Sequence, residues 1–255
     1  MSPPEKRRRD VVELVTEYGG LSVERLAEMV GVSESTVRRD LRELANRGLV
    51  ERTHGGAVPV TNVGGEPSFT QRAVQQLDEK QAIARRAVEE IQAGQVVYFD
   101  SGTTTMQVAR EAPDGGSFAA VTNSPLLTLE LGKEDGIVKS VGGDFRGETK
   151  ALVGPKAESY VRSSNFDLAF VGTNGVDANG ALTAPNEEEA NLKRLVIDNA
   201  TRTVVVAVTE KFGERSFRQF GTVADVDLLI TDGHVPDAFR DLFATTELLE
   251  ECARW

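Results

Sequence analysis

The sequence predicts two parts, an N-terminal winged helix-turn-helix and a larger, Rossmann-like α/β domain. Three observations carry that prediction. Residues 21–57 read LSVERLAEMVGVSESTVRRDLRELANRGLVERTHGGA, two short amphipathic helices around a tight turn and then a short hairpin. After Gly94 the texture changes to short apolar runs separated by helical segments, the pattern of strands buried on both faces of a mainly parallel sheet. Polar, glycine-containing clusters follow those runs, at the carboxyl ends of strands where ligands collect in such sheets. The expected partition is residues 1–57 for the first part, 58–75 for a linker and 76–255 for the second.

Composition bounds what these parts can be. With 255 residues, 40% of them hydrophobic, the chain is long enough for one small and one larger core. The single cysteine, Cys252, excludes an intrachain disulfide and fits a reducing compartment. Neither a signal peptide nor an apolar run of about 18 residues is present, so a soluble, cytoplasmic chain away from any membrane is expected. The 29 basic and 40 acidic residues give a net charge of −11. Residues 1–60 carry ten Lys or Arg and ten Asp or Glu, so the whole excess falls on the remainder. Lysine is scarce, 8 against 21 Arg. An acidic, Lys-poor composition stays soluble when salt screens charge, which points to a salt-loving source; a GC-rich genome would favour Arg over Lys as well.

The chain opens on Lys6-Arg7-Arg8-Arg9, starting a helix whose stripe is Val11, Leu14, Val15 and Tyr18. That basic run is either a solvated face or a phosphate contact. Ser22 is placed to cap a second helix with Val23, Leu26, Ala27 and Val30 on one face, and Gly31-Val32 breaks it. Ser33 caps a third helix whose inner face is Val37, Leu41 and Leu44, ended by Gly48 in a left-handed conformation. Its outer face crowds Ser35, Thr36, Arg38, Arg39 and Arg42 within about two turns, beside the capping Ser33. Arg forks onto guanine edges or phosphates and hydroxyls donate near a helix start, so this helix suits a DNA major groove; in an ordinary surface helix pair the same arginines would only be solvated. Residues 49–56, with Arg52 and His54, form the expected wing.

Residues 58–68, VPVTNVGGEPS, have no period and read as linker, and 78–93 as a helix with Ile83, Ala84, Ala87, Val88 and Ile91 on one face. Strands are expected at 96–99, 119–122, 137–141, 168–171, 204–208 and 228–231, and further helices at 103–110, 125–131, 155–161 and 187–199. Asp100-Ser101-Gly102-Thr103-Thr104-Thr105 opens a helix after the first of these strands. Its glycine, hydroxyls and free helix-start N–H groups make an anion cradle suited to phosphate. Thr122-Asn123-Ser124, Gly142-Gly143 and Gly172-Thr173-Asn174-Gly175 end the next strands in the same manner; singly each is turn chemistry, together they suggest a site. Glu188, Glu189, Lys193 and Arg194 follow near one helix start, with Glu189 and Lys193 spaced for a simple surface ion pair, and Lys211 lies beyond a later strand. No metal-ligand spacing, Walker motif, nucleophile elbow or nicotinamide fingerprint appears, so neither metal nor cofactor is expected.

Residues 22–58, with VRRDL and RTHGGA, resemble the DNA-binding signature of the DeoR family of transcription regulators, and the resemblance runs on through DSGTTT, VTNS, VGG, GTNGVD, EEANLKR and KFG. It implies a sensor domain related in fold to ribose-5-phosphate isomerase and a repressor of sugar or glycerol genes whose binding to a double-stranded DNA operator is modulated by a phosphorylated sugar effector. The strand-end clusters and the charged helix start place the effector near Asp100, Ser101, Gly102, Thr103, Thr104, Thr105, Thr122, Asn123, Ser124, Gly142, Gly143, Asn174, Glu188 and Lys193, and the resemblance adds Lys211. The family's Asp-x-x-Lys element has Val208 at its aspartate position here, which predicts an altered effector preference. Paired reading heads require at least a homodimer, or a homotetramer. The alternative is a sugar-phosphate isomerase-like enzyme, since a phosphate cradle near a carboxylate and a lysine could support proton transfer; such an enzyme has no need of residues 21–57.

Overall fold

The computed structural model describes residues 3–53, 55–60, 67–113, 117–133, 136–250 and 252. They form two compact units, residues 1–77 and 78–255.

The first unit holds α1 (Pro3–Glu17), β1 (Leu21–Ser22), α2 (Val23–Val30), α3 (Glu34–Asn46), β2 (Glu51–Arg52), β3 (Gly56–Val58) and α4 (Phe69–Val74). Ser22 caps α2 by accepting the Arg25 N–H, and Gly31, at φ +67°, ends it in a left-handed turn that a side chain would strain. Ser33 caps α3 by accepting the Thr36 N–H. The antiparallel sheet runs in the order β1-β3-β2, so the wing is closed by a short strand preceding α2. Gly56 makes that closure possible, because a Cβ there would stand 2.0 Å from the Leu21 carbonyl oxygen. Val11, Val12, Val15, Leu26, Val37, Leu41, Leu44 and Val50 form one core beneath the helices. Tyr18 departs from the expected stripe and is 56% exposed, since α1 stops at Glu17 and Gly19 and Gly20 then turn the chain away; Val12 fills the core instead.

The second unit runs α5 (Leu77–Ala87), β4 (Val96–Phe99), α6 (Thr103–Glu111), β5 (Ala119–Thr122), α7 (Pro125–Leu131), β6 (Val138–Ser140), β7 (Asp144–Arg146), β8 (Ala151–Val153), α8 (Pro155–Arg162), β9 (Phe166–Gly172), β10 (Gly175–Val176), β11 (Ala181–Ala184), α9 (Glu187–Asp198), β12 (Ala200–Val206), β13 (Arg218–Thr222), β14 (Leu228–Ile230) and β15 (Glu247–Leu249). Seven strands form one sheet in the order β15-β14-β12-β9-β4-β5-β6, every neighbouring pair parallel. The chain therefore steps outward from β4 to β6, returns to β9 beside β4, and steps outward the other way, the doubly wound order with its reversal between β4 and β9. The inner residues of its central strands are apolar because both faces are covered there: Val97, Phe99, Leu168, Phe170, Val204 and Leu229 are all fully buried. A three-stranded antiparallel sheet, β10-β11-β13, and the β7-β8 hairpin are appended to this frame. Among the described residues no helix is long and apolar enough to cross a membrane.

Candidate functional site

The outer face of α3 presents Ser35, Arg38, Arg39 and Arg42 to solvent. Ser33 is joined to the Ser35 hydroxyl at 2.9 Å and the Thr36 hydroxyl at 3.0 Å, which gathers three hydroxyls at the helix start. Arg38 donates to Glu34 at 2.7 Å, whereas Arg39, Arg42 and the exposed Arg52 of β2 have no ion-pair partner among the described residues. His54 lies outside the described residues. The basic run of α1 is put to a different use. Arg7 and Arg8 direct their Nε groups onto the carboxylate of Asp40 at 2.7 and 3.0 Å, and Asp40 is 1% exposed. Donating to Asp40 raises the pKa of the Arg7 guanidinium above its ordinary value, so this arginine stays charged. The cluster fastens α1 to α3.

In the second unit the residues gather at the carboxyl edge of the sheet, at the reversal between β4 and β9. Asp100, one residue past β4, accepts the Gly172 N–H at 3.1 Å and a very short hydrogen bond from Lys193 Nζ; the lysine also donates to the Gly172 carbonyl at 2.9 Å. Both side chains are almost wholly buried, so the ion pair joins β4, β9 and α9 around the crevice. Just beneath, in β4, burial and the neighbouring Asp100 push the Tyr98 phenol well above its ordinary pKa, so it stays neutral. The Asn123 side chain ties β5 to the same loop, accepting the Ser101 N–H at 2.8 Å and donating to the Ser101 hydroxyl at 3.1 Å.

The three threonines of α6 separate by role. Thr105 donates its hydroxyl to the carbonyls of Asp100 and Gly102, bracing the turn, and Thr103 is buried. Thr104 is partly exposed at a helix start that no side chain caps, which leaves the N-terminal N–H groups and their positive end of the helix dipole open to an anion. Thr122 and Ser124 are fully buried; Thr122 accepts the Ser124 N–H and Ser124 caps α7. Their chemistry is local. Gly142 and Gly143 have positive φ, and a Cβ on Gly143 would lie 2.4 Å from the Val153 carbonyl, so this pair admits the β7-β8 hairpin. Asn174 donates its N–H to the Thr183 carbonyl, bringing β11 to the end of β9. Glu188 receives Arg146 at 2.7 Å, and the buried Glu189 accepts from Asn186, whose oxygen in turn caps α9. Lys211 ends a single 3-10 turn, Thr209–Lys211, past the carboxyl end of β12.

Two features were not anticipated. Val208 opens that 3-10 turn without a side-chain cap, and Asp232, just after β14, supplies one by accepting the Thr209 N–H at 2.7 Å and its hydroxyl at 3.1 Å. The signal for Asp232 was present, a polar Thr-Asp-Gly after an apolar run. Arg146 sits on the β7-β8 hairpin, which short three-residue strands concealed.

A winged helix-turn-helix joined to a doubly wound α/β unit with a buried ion pair at its strand-order reversal fits the class of DNA-binding regulators that carry a sensor domain. The DeoR-like helix-turn-helix domain matches residues 7–63 and the DeoR C terminal sensor domain matches residues 75–233. Over 230 residues the chain is 55% identical to the HTH-type transcriptional regulator GlpR of Haloferax volcanii, covering 90% of each. It is 32% identical to the glycerol-3-phosphate regulon repressor of Escherichia coli K12 (91% of this chain, 92% of that one) and 34% identical to the transcriptional repressor AccR of Agrobacterium fabrum (89% and 88%). The chain belongs to the DeoR family of transcriptional regulators, and it is a regulator rather than an enzyme. Among solved structures, ribose 5-phosphate isomerase A of Methanocaldococcus jannaschii superposes with a TM-score of 0.40 at 16% identity, over 54% of this chain and 55% of that one. The sorbitol operon regulator SorC of Klebsiella pneumoniae gives 0.36 at 13% identity, over 83% and 91%.

Proposed function

We propose that the chain binds a two-fold symmetric operator as a homodimer or homotetramer in the cytoplasm, represses genes of sugar or glycerol metabolism, and is released or retained on DNA by a phosphorylated sugar or polyol. The observation that carries the effector half is the Asp100–Lys193 pair buried at the reversal between β4 and β9, beside the uncapped start of α6. A helix start attracts a phosphate, and a carboxylate–ammonium pair offers acceptor and donor to hydroxyls, so one compound carrying both fits this crevice. Relatives named for the glycerol-3-phosphate regulon make glycerol 3-phosphate a first candidate. On the DNA side, Arg39, Arg42 and Arg52 supply cations in a unit of zero net charge, so placement rather than sum of charge directs binding.

The test is an operator shift assay with and without phosphorylated sugars and polyols. An effector changes DNA affinity only by the difference between its affinities for the two states, and the expected coupling is about 5- to 150-fold. Thr104→Val should weaken that response and leave ligand-free DNA binding intact. An assay in which no phosphorylated compound alters DNA affinity, while one of them is isomerised, overturns the reading.

A further inference from the structure

The β7-β8 hairpin carries two buried polar groups with no hydrogen-bond partner among the described residues. The Thr149 hydroxyl is buried, with the residue 6% exposed, and the Arg146 Nε, three residues earlier, is buried as well; neither makes a hydrogen bond among the described residues. The turn between them is tight: Lys150 donates its N–H to the Arg146 carbonyl at 2.8 Å and adopts φ +58°, a left-handed conformation rare for a residue with a side chain. Buried donors without acceptors are uncommon, and two in one strained turn call for an acceptor from outside the chain.

The hairpin's other bonds say where that acceptor comes from. Leu152 of β8 donates its N–H to the Asn123 carbonyl at 2.7 Å, and the Asn123 side chain returns a bond to the Leu152 carbonyl at 3.5 Å. Arg146 places Nη1 on Glu188 at 2.7 Å, while its Nε stays 3.9 Å from Glu189, beyond hydrogen-bond reach. Glu189 lies one helical turn before Lys193. The turn is thus attached to the β5 end and to the start of α9, two walls of the crevice that holds Asp100 and Lys193.

Resting on the effector reading above, we infer that this turn is part of the binding site, with the Arg146 Nε–H and the Thr149 hydroxyl as donors to phosphate or hydroxyl oxygens of the same phosphorylated ligand. Glu188 keeps one arm of the guanidinium fixed, so the Nε–H is presented without further ordering, and Gly143 lets β8 come close enough to set the turn there.

Calorimetric titration of the full chain with glycerol 3-phosphate, fructose 1-phosphate, fructose 6-phosphate and inorganic phosphate tests this, beside thermal melting and ligand-free operator binding. Thr149→Val and Arg146→Lys should each weaken the bound probe by about tenfold or more, with operator binding unchanged and Thr149→Ser close to the parent. Thr149→Val should also melt no lower than the parent, because it removes a hydroxyl that has no partner. Binding within twofold of the parent in both variants, or a lowered melting temperature in Thr149→Val, overturns this inference alone. A parent chain that binds none of the probes overturns the effector reading and this inference with it.

Discussion

Each unit buries a carboxylate against cations, and the two do different things with it. In the first unit Asp40 faces two arginines of α1 that keep about a fifth of their side chains in water, and all of its bonds run to the protein. In the second, Asp100 and Lys193 are both almost wholly buried and hold one another and the Gly172 backbone at the mouth of a sheet crevice. The first cluster is a fastener between two helices. The second lies at the strand-order reversal, the place where doubly wound sheets bind ligands. Buried charge is therefore weak evidence of function by itself; its place in the topology decides.

Breaking the buried pair in the sensor should have the largest effect. Lys193→Met leaves the Asp100 carboxylate buried without a cation, which costs about 3–5 kcal/mol, whereas Asp100→Asn combined with Lys193→Met removes both charges and should recover most of that loss. Calorimetric melting of the three proteins reads this directly. A single substitution costing less than the double one would mean that the crevice is wet and the pair is not a unit.

Asp40→Ala should follow at about 2–3 kcal/mol, below the sensor pair because Arg7 and Arg8 can turn their exposed parts to water once the carboxylate is gone. The loss should appear in the melting of the first unit, and operator affinity should fall with it because α3 is no longer fixed to α1. Unchanged melting with full operator binding would remove the fastener from the account.

Much of this arrangement could be read from residue order. Caps at Ser22 and Ser33, the left-handed Gly48 and the apolar strands are local signals, and local physics placed them. Strand ends in a parallel sheet share one edge, so Asp100 and Asn123 could be assigned to one region without coordinates. What the sequence concealed were pairings over distance. Arg7 and Asp40 are 33 positions apart, and Asp100 and Lys193 are 93 apart, with no periodicity to join them. The hydroxyls of Thr105 and Ser124 look like ligand donors on paper; only the folded turns reveal that backbone groups already engage them. Strands of two or three residues, as in β7, β8 and β10, are too short for an alternating pattern to emerge, which hid Arg146 and Thr149.

The smallest expected effect sharpens the division of labour on α3. Arg38 and Glu34 are about half exposed and 2.7 Å apart, so Glu34→Gln should change stability by no more than about 0.5 kcal/mol. Its consequence lies in recognition, because the carboxylate holds the Arg38 fork in one orientation, as reading a base edge requires, while Arg39 has no such partner and suits a phosphate. Arg38→Ala should cost about 1–3 kcal/mol on operator DNA and relax preference at one base position; Arg39→Ala should weaken operator and scrambled duplex alike and reduce the salt slope by about one. Glu34→Gln should fall between the parent and Arg38→Ala, with binding to scrambled duplex unchanged and discrimination slightly reduced. Fluorescence anisotropy on both duplexes across a salt series measures all three. If Arg39→Ala alone narrows the gap between operator and scrambled duplex, the roles of the two arginines are reversed and Glu34 orients nothing that reads sequence.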